Sequence, residues 1–313
     1  MDQYRLSIAK SEPVELYQPE DYILGLGGKR LRPLLALIAC DIFDKEPALA
    51  LDSALCVELF HNFSLIHDDI LDAAPLRRNH ATVHKKWNTN IAILSGDMML
   101  VKAFQALQNY SAEEFMQLSA VFSKTSIEVC EGQQMDMNFE KEKSVSEENY
   151  LKMITCKTAV LLGCSLQMGA INARGDKEDQ TNLYEFGKHL GIAFQLLDDY
   201  LDAYAQTPEF GKQIGGDILA NKKTYLLIKA YALANQYQRK ELDRLINLDG
   251  TNSEEKINGV KHIFNELAVT STCLQLADEH TRLAITHLDN VKAGESKKNH
   301  LKDFALELLK RRS

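Results

Sequence analysis

Two short acidic motifs are the residues of this sequence with the clearest chemical potential. Asp-Asp-x-Leu-Asp occurs at positions 68–72 and again at positions 198–202, each time within an apolar stretch. Three carboxylates so close together repel one another and resist desolvation. A positive partner is therefore indicated, and hard divalent cations with oxygen ligands are the simplest candidates.

On a helix, the first and last aspartates of each motif share one face, and the second lies about 100° around the axis. Magnesium keeps several waters and takes one or two carboxylates together with phosphate oxygens. Two such helices facing each other would hold several magnesium ions and a polyphosphate. A solvated acidic face is the alternative, which the second copy and the apolar flanks disfavour. The candidate ligands are Asp68, Asp69, Asp72, Asp198, Asp199 and Asp202.

Basic residues accompany both acidic motifs, as a bound diphosphate would require. Helix N-termini and arginine forks both suit phosphate. Each residue alone is an ordinary surface charge, and the placement beside the motifs is what favours binding. The candidates are Lys29, Arg30 and Arg32 in a glycine-led loop, Arg77 and Arg78 after the first motif, Lys157 beside Thr158, and Lys212, Lys222 and Lys223 after the second motif. His61 lies about two helical turns before Asp68 on the same face, so it is either a ligand-binding or a core histidine.

Composition limits the class of protein. The chain has 313 residues, of which 45% are hydrophobic and 26% charged, as in a folded protein with a substantial core. A net charge of −8 argues against a nucleic-acid partner. None of the six cysteines forms a Cys-x-x-Cys pair, and the first residues lack an apolar signal core. We therefore expect a reduced, cytoplasmic protein with no transmembrane segment, since apolar stretches such as 34–40 are short.

Helical periodicity is common and strand signals are nearly absent. No linker rich in proline, glycine or serine divides the chain, so we expect residues 1–313 to form a single all-α domain, a bundle of long helices around a central cavity. Loops are expected near 139–147 and 206–220. The predicted helices are 31–44, 48–73, 88–108, 112–138, 146–173, 177–205, 221–235, 237–247, 253–270, 272–291 and 296–312.

The order of these motifs resembles the trans-type isoprenyl diphosphate synthases, the polyprenyl synthetase family. The resemblance runs roughly from Gly27 to Lys223. It rests on Gly-Gly-Lys-Arg-Leu-Arg-Pro, His-Asp-Asp-Ile-Leu-Asp with Arg-Arg downstream, Lys-Thr, and Phe-Gln-Leu-Leu-Asp-Asp-Tyr-Leu-Asp with Gly-Lys and Asn-Lys downstream. One departure is Arg77-Arg-Asn-His-Ala-Thr82, where the family often has Arg-Arg-Gly-x-Pro-Thr. It changes a loop and leaves the assigned ligands in place.

The resemblance implies an all-α fold of the isoprenoid synthase type with a deep cavity, usually in a homodimer. The implied reaction is the head-to-tail condensation of isopentenyl diphosphate with an allylic diphosphate, with Mg²⁺ ions bridging to the substrate. The aspartates of both motifs would be the metal ligands. By position, the isopentenyl diphosphate site would be Lys29, Arg32, His61 and Arg78, the allylic diphosphate contacts Arg77, Lys157, Lys212 and Lys222, and the polar groups beside the reacting carbons Thr158 and Gln195.

Product length would be set on the helix of the first motif. Ser64 lies one turn below Asp68 on the same face and leaves room, while Phe60 lies two turns below. Ideal helix geometry turns Phe63 away from Asp68, and the resemblance alone makes Phe63 a pocket-floor residue. Core packing is the alternative role, and it is favoured for Phe60. In similar enzymes one aromatic residue here, with no insertion between the aspartates, goes with a product of four isoprene units. The resemblance therefore implies geranylgeranyl diphosphate as the product, with farnesyl diphosphate as the alternative.

Other functions fit the residues less well. A class I terpene cyclase shares the fold and the first motif, but usually has an Asn/Ser/Glu-type second motif and no isopentenyl diphosphate site. A noncatalytic partner subunit would be expected to have lost acidic ligands. A calcium-binding helical module would leave the basic residues beside the acidic motifs unexplained.

Overall fold

The structure, a computed structural model, describes residues 1–205, 214–248 and 252–310. These residues are almost entirely helical, which confirms the all-α prediction. A small antiparallel hairpin interrupts the helices, in which Leu76 pairs with Ala81 and Arg77 pairs with His80.

The helices follow one another along the chain and are labelled in that order. They are α1 (Asp2–Ile8), α2 (Val14–Gly25), α3 (Leu31–Asp41), α4 (Leu51–Leu71), α5 (Val83–Lys86), α6 (Thr89–Ala106), α7 (Ala112–Lys141), α8 (Glu147–Ile154), α9 (Val160–Asn172), α10 (Lys177–Tyr204), α11 (Gly216–Leu219), α12 (Tyr225–Leu233), α13 (Gln236–Ile246), α14 (Ser253–Glu266), α15 (Val269–Asp289) and α16 (Glu295–Lys310). Single 3₁₀ turns lie at Pro47–Ala50 and Leu107–Asn109, and a π-helical turn lies at Thr155–Ala159.

Most predicted helices match the observed ones within a few residues, but four regions differ. The sequence did not predict α1 and α2, nor the short helix α5. The single helix expected over 146–173 is interrupted by the π-helical turn between α8 and α9. The loop expected over 206–220 contains the short helix α11, while positions 206–213 are outside the described residues.

Contacts within the chain divide it into two compact units. The first comprises Met1–Ser123 and Ser165–Gln180, and the second comprises Lys124–Cys164 and Thr181–Ser313. All three boundaries fall inside helices, namely α7, α9 and α10. No loop separates the two units in sequence. The single domain expected over residues 1–313 stays a prediction.

The core of the first unit forms around α4. This helix packs along α6 and against α3, and it buries Leu59, Phe60 and Ile66 almost completely. Leu35 from α3 and Met99 from α6 are also fully buried. Each such side chain contributes about 1.5–3 kcal/mol of hydrophobic stabilisation, so this core fixes the end of α4 that carries the first acidic motif.

The second unit has its own core, which supports the second acidic motif. Tyr150 of α8, Leu196 of α10, Tyr225 of α12 and Phe264 of α14 belong to one cluster of buried side chains. The cluster also includes Cys273 of α15. Buried contacts on α10 both before and after the motif hold its position along that helix.

Two helical stretches are apolar and long enough to meet the length and composition of a membrane span. They are Pro47–Leu71 and Glu147–Asn172, with mean hydropathy of 1.3 and 1.4. The apolar windows are 61% and 72% buried inside the protein. That burial is typical of core helices, so these stretches do not indicate a membrane protein.

Candidate active site

The first acidic motif lies at the carboxyl end of α4, with Asp72 as the C-cap residue. Asp69 is only 1% exposed, whereas Asp68 is partly exposed and Asp72 is exposed. Arg77 holds Asp69 through two contacts, Nε to Oδ2 at 2.8 Å and Nη2 to Oδ1 at 2.7 Å. Burial raises the pKa of Asp69, and the charge of Arg77 opposes that rise. Asp69 is thus fixed by a fork-like ion pair, and Nη2 of Arg77 also lies 3.5 Å from Oδ2 of Asp68.

A basic cluster in the same unit contains the predicted isopentenyl diphosphate residues Arg32 and His61. Nη1 of Arg32 lies 3.2 Å from Nε2 of His61. Burial lowers the pKa of His61 well below its usual value, and the charges of Arg32, Arg78, Arg77 and, more weakly, Arg30 lower it further. His61 is therefore neutral, and its Nε2 accepts the hydrogen bond from Arg32. Burial also lowers the pKa of Arg32 to about 10, so Arg32 remains charged at neutral pH.

The glycine-led loop before α3 positions two further arginines. Gly28 has a φ of 122°, and a Cβ added there would lie 2.7 Å from the guanidinium of Arg78. Nη1 of Arg78 donates a hydrogen bond to the carbonyl of Gly27. Arg30 forms an ion pair with Glu58 of α4, whose side chain is almost completely buried. Glycine at position 28 therefore permits the close approach of Arg78 to the loop.

Lys29 belongs to the same loop and is exposed. It lines a cavity of about 670 Å³ in the first unit, together with Arg30, Pro33 of α3 and Tyr4 of α1. Arg32, Arg77 and Arg78 lie close enough to His61 for their charges to lower its pKa. The assignment of Lys29 to the same ligand rests on the sequence.

The predicted chain-length residues form part of an aromatic cluster in the first unit. Phe60 is 1% exposed and packs against Phe63 and Phe122, with ring centroids 5.5 and 5.4 Å apart. Phe63 also meets the ring of His67 edge-on at 4.8 Å. Ser64 donates a hydrogen bond from Oγ to the carbonyl of His61 at 2.8 Å. Phe60 is thus a core residue by its contacts, and the role of Phe63 in product length stays a prediction.

The second acidic motif repeats the pattern of the first within its own unit. Asp199 is buried, while Asp198 and Asp202, one turn apart, are partly exposed. The backbone carbonyl of Asp202 accepts a hydrogen bond from the amide of Gly215 at 2.7 Å. Its side-chain Oδ2 accepts a hydrogen bond from the amide of Asp217 at 2.9 Å. Asp202 therefore fixes the start of α11.

Asp199 is held by neutral donors. Oδ2 accepts a hydrogen bond from the hydroxyl of Tyr150 at 2.5 Å and from the amide of Tyr225 at 3.0 Å. Oδ1 accepts from Nε2 of Gln195 at 3.2 Å, and Oε1 of Gln195 accepts from Oγ1 of Thr158 at 3.4 Å. Burial raises the pKa of Asp199 to about 7, against the opposing effect of these hydrogen bonds. The network links the predicted residues Thr158 and Gln195 directly to the second motif.

Lys157 and Thr158 lie in the π-helical turn at Thr155–Ala159. Such turns are frequent at functional sites. Nζ of Lys157 forms an ion pair with Oδ2 of Asp136, a residue of α7, at 2.6 Å. A Cβ added to Gly132, one turn earlier on α7, would lie 2.3 Å from the amide nitrogen of Lys157. Glycine at position 132 therefore lets α7 approach the turn closely enough for Asp136 to hold the lysine.

These groups line one cavity of about 150 Å³ in the second unit. Its charged lining includes Asp198, Asp199, Asp217, Lys157, Lys222 and Lys223, and Thr158 and Gln195 also face it. The structure thus brings together Lys157, Thr158, Gln195 and Lys222 with two of the predicted metal ligands. Lys212 lies outside the described residues.

Several residues that build the site were not candidates in the sequence analysis. Asp136, Tyr150 and Glu58 hold Lys157, Asp199 and Arg30, respectively. One signal was available, since Glu58 is an acidic residue inside the apolar stretch that becomes α4. Asp136 and Tyr150 lie far in sequence from their partners, and only the tertiary fold reveals them.

Comparison with known proteins agrees with this architecture. The chain matches the polyprenyl synthetase family over residues 13–267. It is 35% identical to the short chain isoprenyl diphosphate synthase of Methanothermobacter thermautotrophicus, covering 98% of this chain and 94% of that protein. It is 36% identical to the geranylgeranyl diphosphate synthase of Saccharolobus solfataricus, covering 96% and 92%.

A crystal structure of a geranylgeranyl pyrophosphate synthase shares the fold, with a TM-score of 0.94 and 44% identity over 99% of this chain and 96% of that one. The family match covers most of the chain and includes both acidic motifs. The resemblance inferred from the motifs is thereby confirmed. The chain belongs to the polyprenyl synthetase family of prenyltransferases.

Proposed function

We propose that this prenyltransferase condenses isopentenyl diphosphate head-to-tail with an allylic diphosphate and makes geranylgeranyl diphosphate. The observation that carries the proposal is common to both units: an Asp-Asp-x-x-Asp motif with a buried, protein-held second aspartate, accompanied by positioned basic side chains. The Saccharolobus relative and the crystal structure described above are both geranylgeranyl diphosphate synthases by name. They favour this product over farnesyl diphosphate.

The acidic side chains suit magnesium. Carboxylate oxygens are the hard ligands that Mg²⁺ prefers, and it is usually bound through one or two of them together with substrate phosphate. In each motif the pair that shares a helix face is more exposed than the aspartate between them. We infer that Asp68 and Asp72, and likewise Asp198 and Asp202, take the ions. When bound, Mg²⁺ neutralises charge on the departing diphosphate.

Basic side chains would bind the allylic diphosphate. Lys157 and Lys222 are the candidates in the second unit, and Arg77 and Lys212 are candidates from the family resemblance alone. The ion pair with Asp136 restricts the position of Lys157, so its ammonium is preorganised for a second, anionic partner. Preorganised charges stabilise the developing anion without reorganisation during the reaction.

Isopentenyl diphosphate would bind at the basic cluster of the first unit. Arg32, Arg78 and Lys29 supply positive charge. Neutral His61 accepts the hydrogen bond from Arg32, so it orients that guanidinium and adds no charge of its own. The condensation needs both substrates to be held in fixed positions, and these contacts would fix the diphosphate of isopentenyl diphosphate.

The carbon that loses diphosphate becomes a cation, and two polar side chains suit it. The oxygens of Thr158 and Gln195 carry partial negative charge and are joined by a hydrogen bond. Their cavity also includes the apolar side chains of Met153 and Ile154, which limit access of water to the cation. The new carbon–carbon bond forms from the double bond of isopentenyl diphosphate, and a proton then passes to the released diphosphate.

The active protein is proposed to be a cytoplasmic homodimer. Helix α6 exposes Leu94, Val101 and Phe104 in the first unit, with Leu94 60% and Val101 67% exposed. Leu94 and Val101 lie two turns apart on one face, and contiguous exposed apolar residues are typical of protein interfaces. A dimer mass by light scattering that falls to the monomer mass in Val101→Glu would support this arrangement.

The test of the proposed function is a product analysis. The purified chain is incubated with Mg²⁺, labelled isopentenyl diphosphate and dimethylallyl, geranyl or farnesyl diphosphate, and the dephosphorylated products are separated by length. We expect geranylgeraniol from each starter and no incorporation with chelator. Farnesol alone would overturn the product assignment, and cyclic hydrocarbons or no elongation would overturn the function.

A further inference from the structure

A cluster of histidines lies in the second unit, away from the acidic motif. Glu185 and His189 come from α10, and His280 and His287 come from α15. The ligand atoms of Glu185, His189 and His287 lie within 4.8 Å of one another, and all three residues are partly buried. The rings of His189 and His287 are stacked, with centroids 5.7 Å apart and planes at 11°.

Hydrogen bonds constrain the ring protons of both histidines. Nδ1 of His287 lies 3.2 Å from Oδ1 of Asn182, which can only accept, so His287 carries a proton on Nδ1. Nδ1 of His189 lies 2.8 Å from Nδ1 of His280, and either ring can donate in this contact. Nε2 of His189 lies 3.9 Å from Oε2 of Glu185, beyond hydrogen-bond length. Donation from Nδ1 of His189 to His280 is the arrangement that suits binding of an ion at Nε2.

This protonation leaves the Nε2 lone pair of each histidine available. Metal-binding histidines commonly donate their other ring N–H to an oxygen acceptor, and the side-chain oxygen of Asn182 is such an acceptor for His287. Burial, together with the neighbouring His280 and Lys188, lowers the pKa of His189 to about 4, against the opposing effect of Glu185. The ligand atoms of two imidazoles and one carboxylate thus lie within 4.8 Å of one another.

The spacing is close to that of a metal site. Zn²⁺ binds imidazole nitrogens at about 2.0–2.1 Å, which places tetrahedral ligands about 3.4 Å apart. Nε2 of His189 and Oε2 of Glu185 are 3.9 Å apart, and all three ligand atoms lie within 4.8 Å of one another, so side-chain rotation would have to shorten these separations by up to about 1.4 Å. Lys188 forms an ion pair with Glu185 and would compete with a cation for that carboxylate.

We propose that Glu185, His189 and His287 form a site for one divalent transition-metal ion of the zinc type, distinct in ligand chemistry from the aspartate motifs. Two histidines and one carboxylate are a known zinc ligand set that leaves one position for water. His189 precedes Asp198 on α10 by about 13 Å of helix. The ion would join α10 to α15 and stiffen the helix that carries the second acidic motif.

The test is a titration of the purified full-length chain with Co²⁺ in the presence of excess Mg²⁺, which occupies hard oxygen sites. We expect visible absorption of cobalt in a nitrogen-containing site, an endpoint of one ion per chain, and loss of the signal when Zn²⁺ is added. Zn²⁺ should also raise the melting temperature by mass action. Absence of a stoichiometric signal in the wild-type chain would overturn the proposal, whatever the variants do.

Variants locate the binding. His189→Ala and His287→Ala should each abolish the cobalt spectrum, with folding checked by circular dichroism. His262→Ala is the matched control, because His262 also lies 3.2 Å from a glutamate one turn away, Glu266, but is exposed. Lys188→Met should tighten binding, since it removes the competing cation.

Binding that persists in both histidine variants, or that is weakened equally by His262→Ala, would contradict the site. So would weaker binding in Lys188→Met. None of these results bears on prenyl elongation, because none of the variants alters a residue of the proposed active site.

Discussion

The hydroxyl of Tyr150 donates a 2.5 Å hydrogen bond to Oδ2 of Asp199, the central aspartate of the second acidic motif. Asp69, the corresponding residue of the first motif, is held by Arg77 instead. In both motifs the buried aspartate is bound by protein groups, and its neighbours are more exposed. The middle aspartate of each motif therefore anchors its helix through a protein partner. That partner is the neutral Tyr150 for Asp199 and the cationic Arg77 for Asp69.

Tyr150→Phe should destabilise the protein and slow elongation. The change removes one donor to a buried carboxyl group, which costs about 1–3 kcal/mol of unfolding free energy. Gln195, which shares Asp199, would lose its fixed position, so kcat should fall more than KM changes. Urea unfolding and steady-state kinetics measure the two effects. Tyr231→Phe is the control, since its partner Asp243 is exposed. Equal effects of the two changes would contradict the role of Tyr150.

Gly28→Ala should raise the KM for isopentenyl diphosphate and leave the KM for the allylic substrate unchanged. Alanine is strained at a φ of 122°, and its Cβ would displace Arg78. Gly294→Ala is the control, because an added Cβ there meets nothing within 4 Å. A rise in both KM values, or in neither, would remove Arg78 from the isopentenyl diphosphate site.

Phe63→Ala should lengthen the product if Phe63 closes the end of the chain pocket. The removed ring would leave space beside Phe60 and His67 for another isoprene unit. Chromatography of the dephosphorylated products measures the change. Phe60→Ala is the comparison: as a core residue it should cost about 3–5 kcal/mol of unfolding free energy. An unchanged product distribution in Phe63→Ala would assign Phe63 to the core as well.

His61 should make stability depend on pH below neutrality. Its folded pKa is held well below the usual 6.5, chiefly by burial and then by the charge of Arg32. At a pH between these two values, His61 is protonated in the unfolded chain and neutral in the folded chain. The contribution of His61 to the unfolding free energy should therefore be fully present above pH 6.5. Below pH 6.5 the unfolding free energy should fall by at most about 1.4 kcal/mol per pH unit, until the pH reaches the folded pKa of His61.

The slope identifies the residue responsible. His61→Gln should show a shallower loss of stability between pH 7 and pH 5 in urea unfolding. His262→Gln, a change at an exposed histidine, should retain the wild-type slope. If the slopes of all three proteins coincide, His61 is not the group that takes up the proton on unfolding.

Periodicity predicted the long helices well. The expected 48–73, 88–108 and 177–205 correspond to α4, α6 and α10, because their buried faces recur regularly along the sequence. The π-helical turn at Thr155–Ala159 was not predictable, since nearly every residue of α9 is buried and the sequence therefore shows no one-sided apolar stripe whose phase an extra residue would shift. Helix α2 was missed because Pro19 lies inside it and reads as a break.

The site was predictable as a set of residue types, but its internal contacts were not. Repeated aspartates and nearby basic residues are visible in the sequence. The sequence does not show the protein partners of Arg77 and Lys157. Both residues were assigned to diphosphate, but in the structure each also forms an ion pair with a carboxylate of the protein. Which aspartate is buried likewise follows from packing: helical geometry separates Asp69 from its neighbours without showing which face is covered.

The most direct test of the account is the elongation rate of Asp68→Ala and Asp198→Ala at saturating Mg²⁺ and substrates. Each aspartate is proposed to help hold the ions that stabilise the departing diphosphate, and loss of such a contact typically costs about 100–1,000-fold in kcat. Asp278→Ala, an exposed aspartate paired with Arg282, should retain the wild-type rate. Elongation at the wild-type rate in either Asp68→Ala or Asp198→Ala would contradict the account.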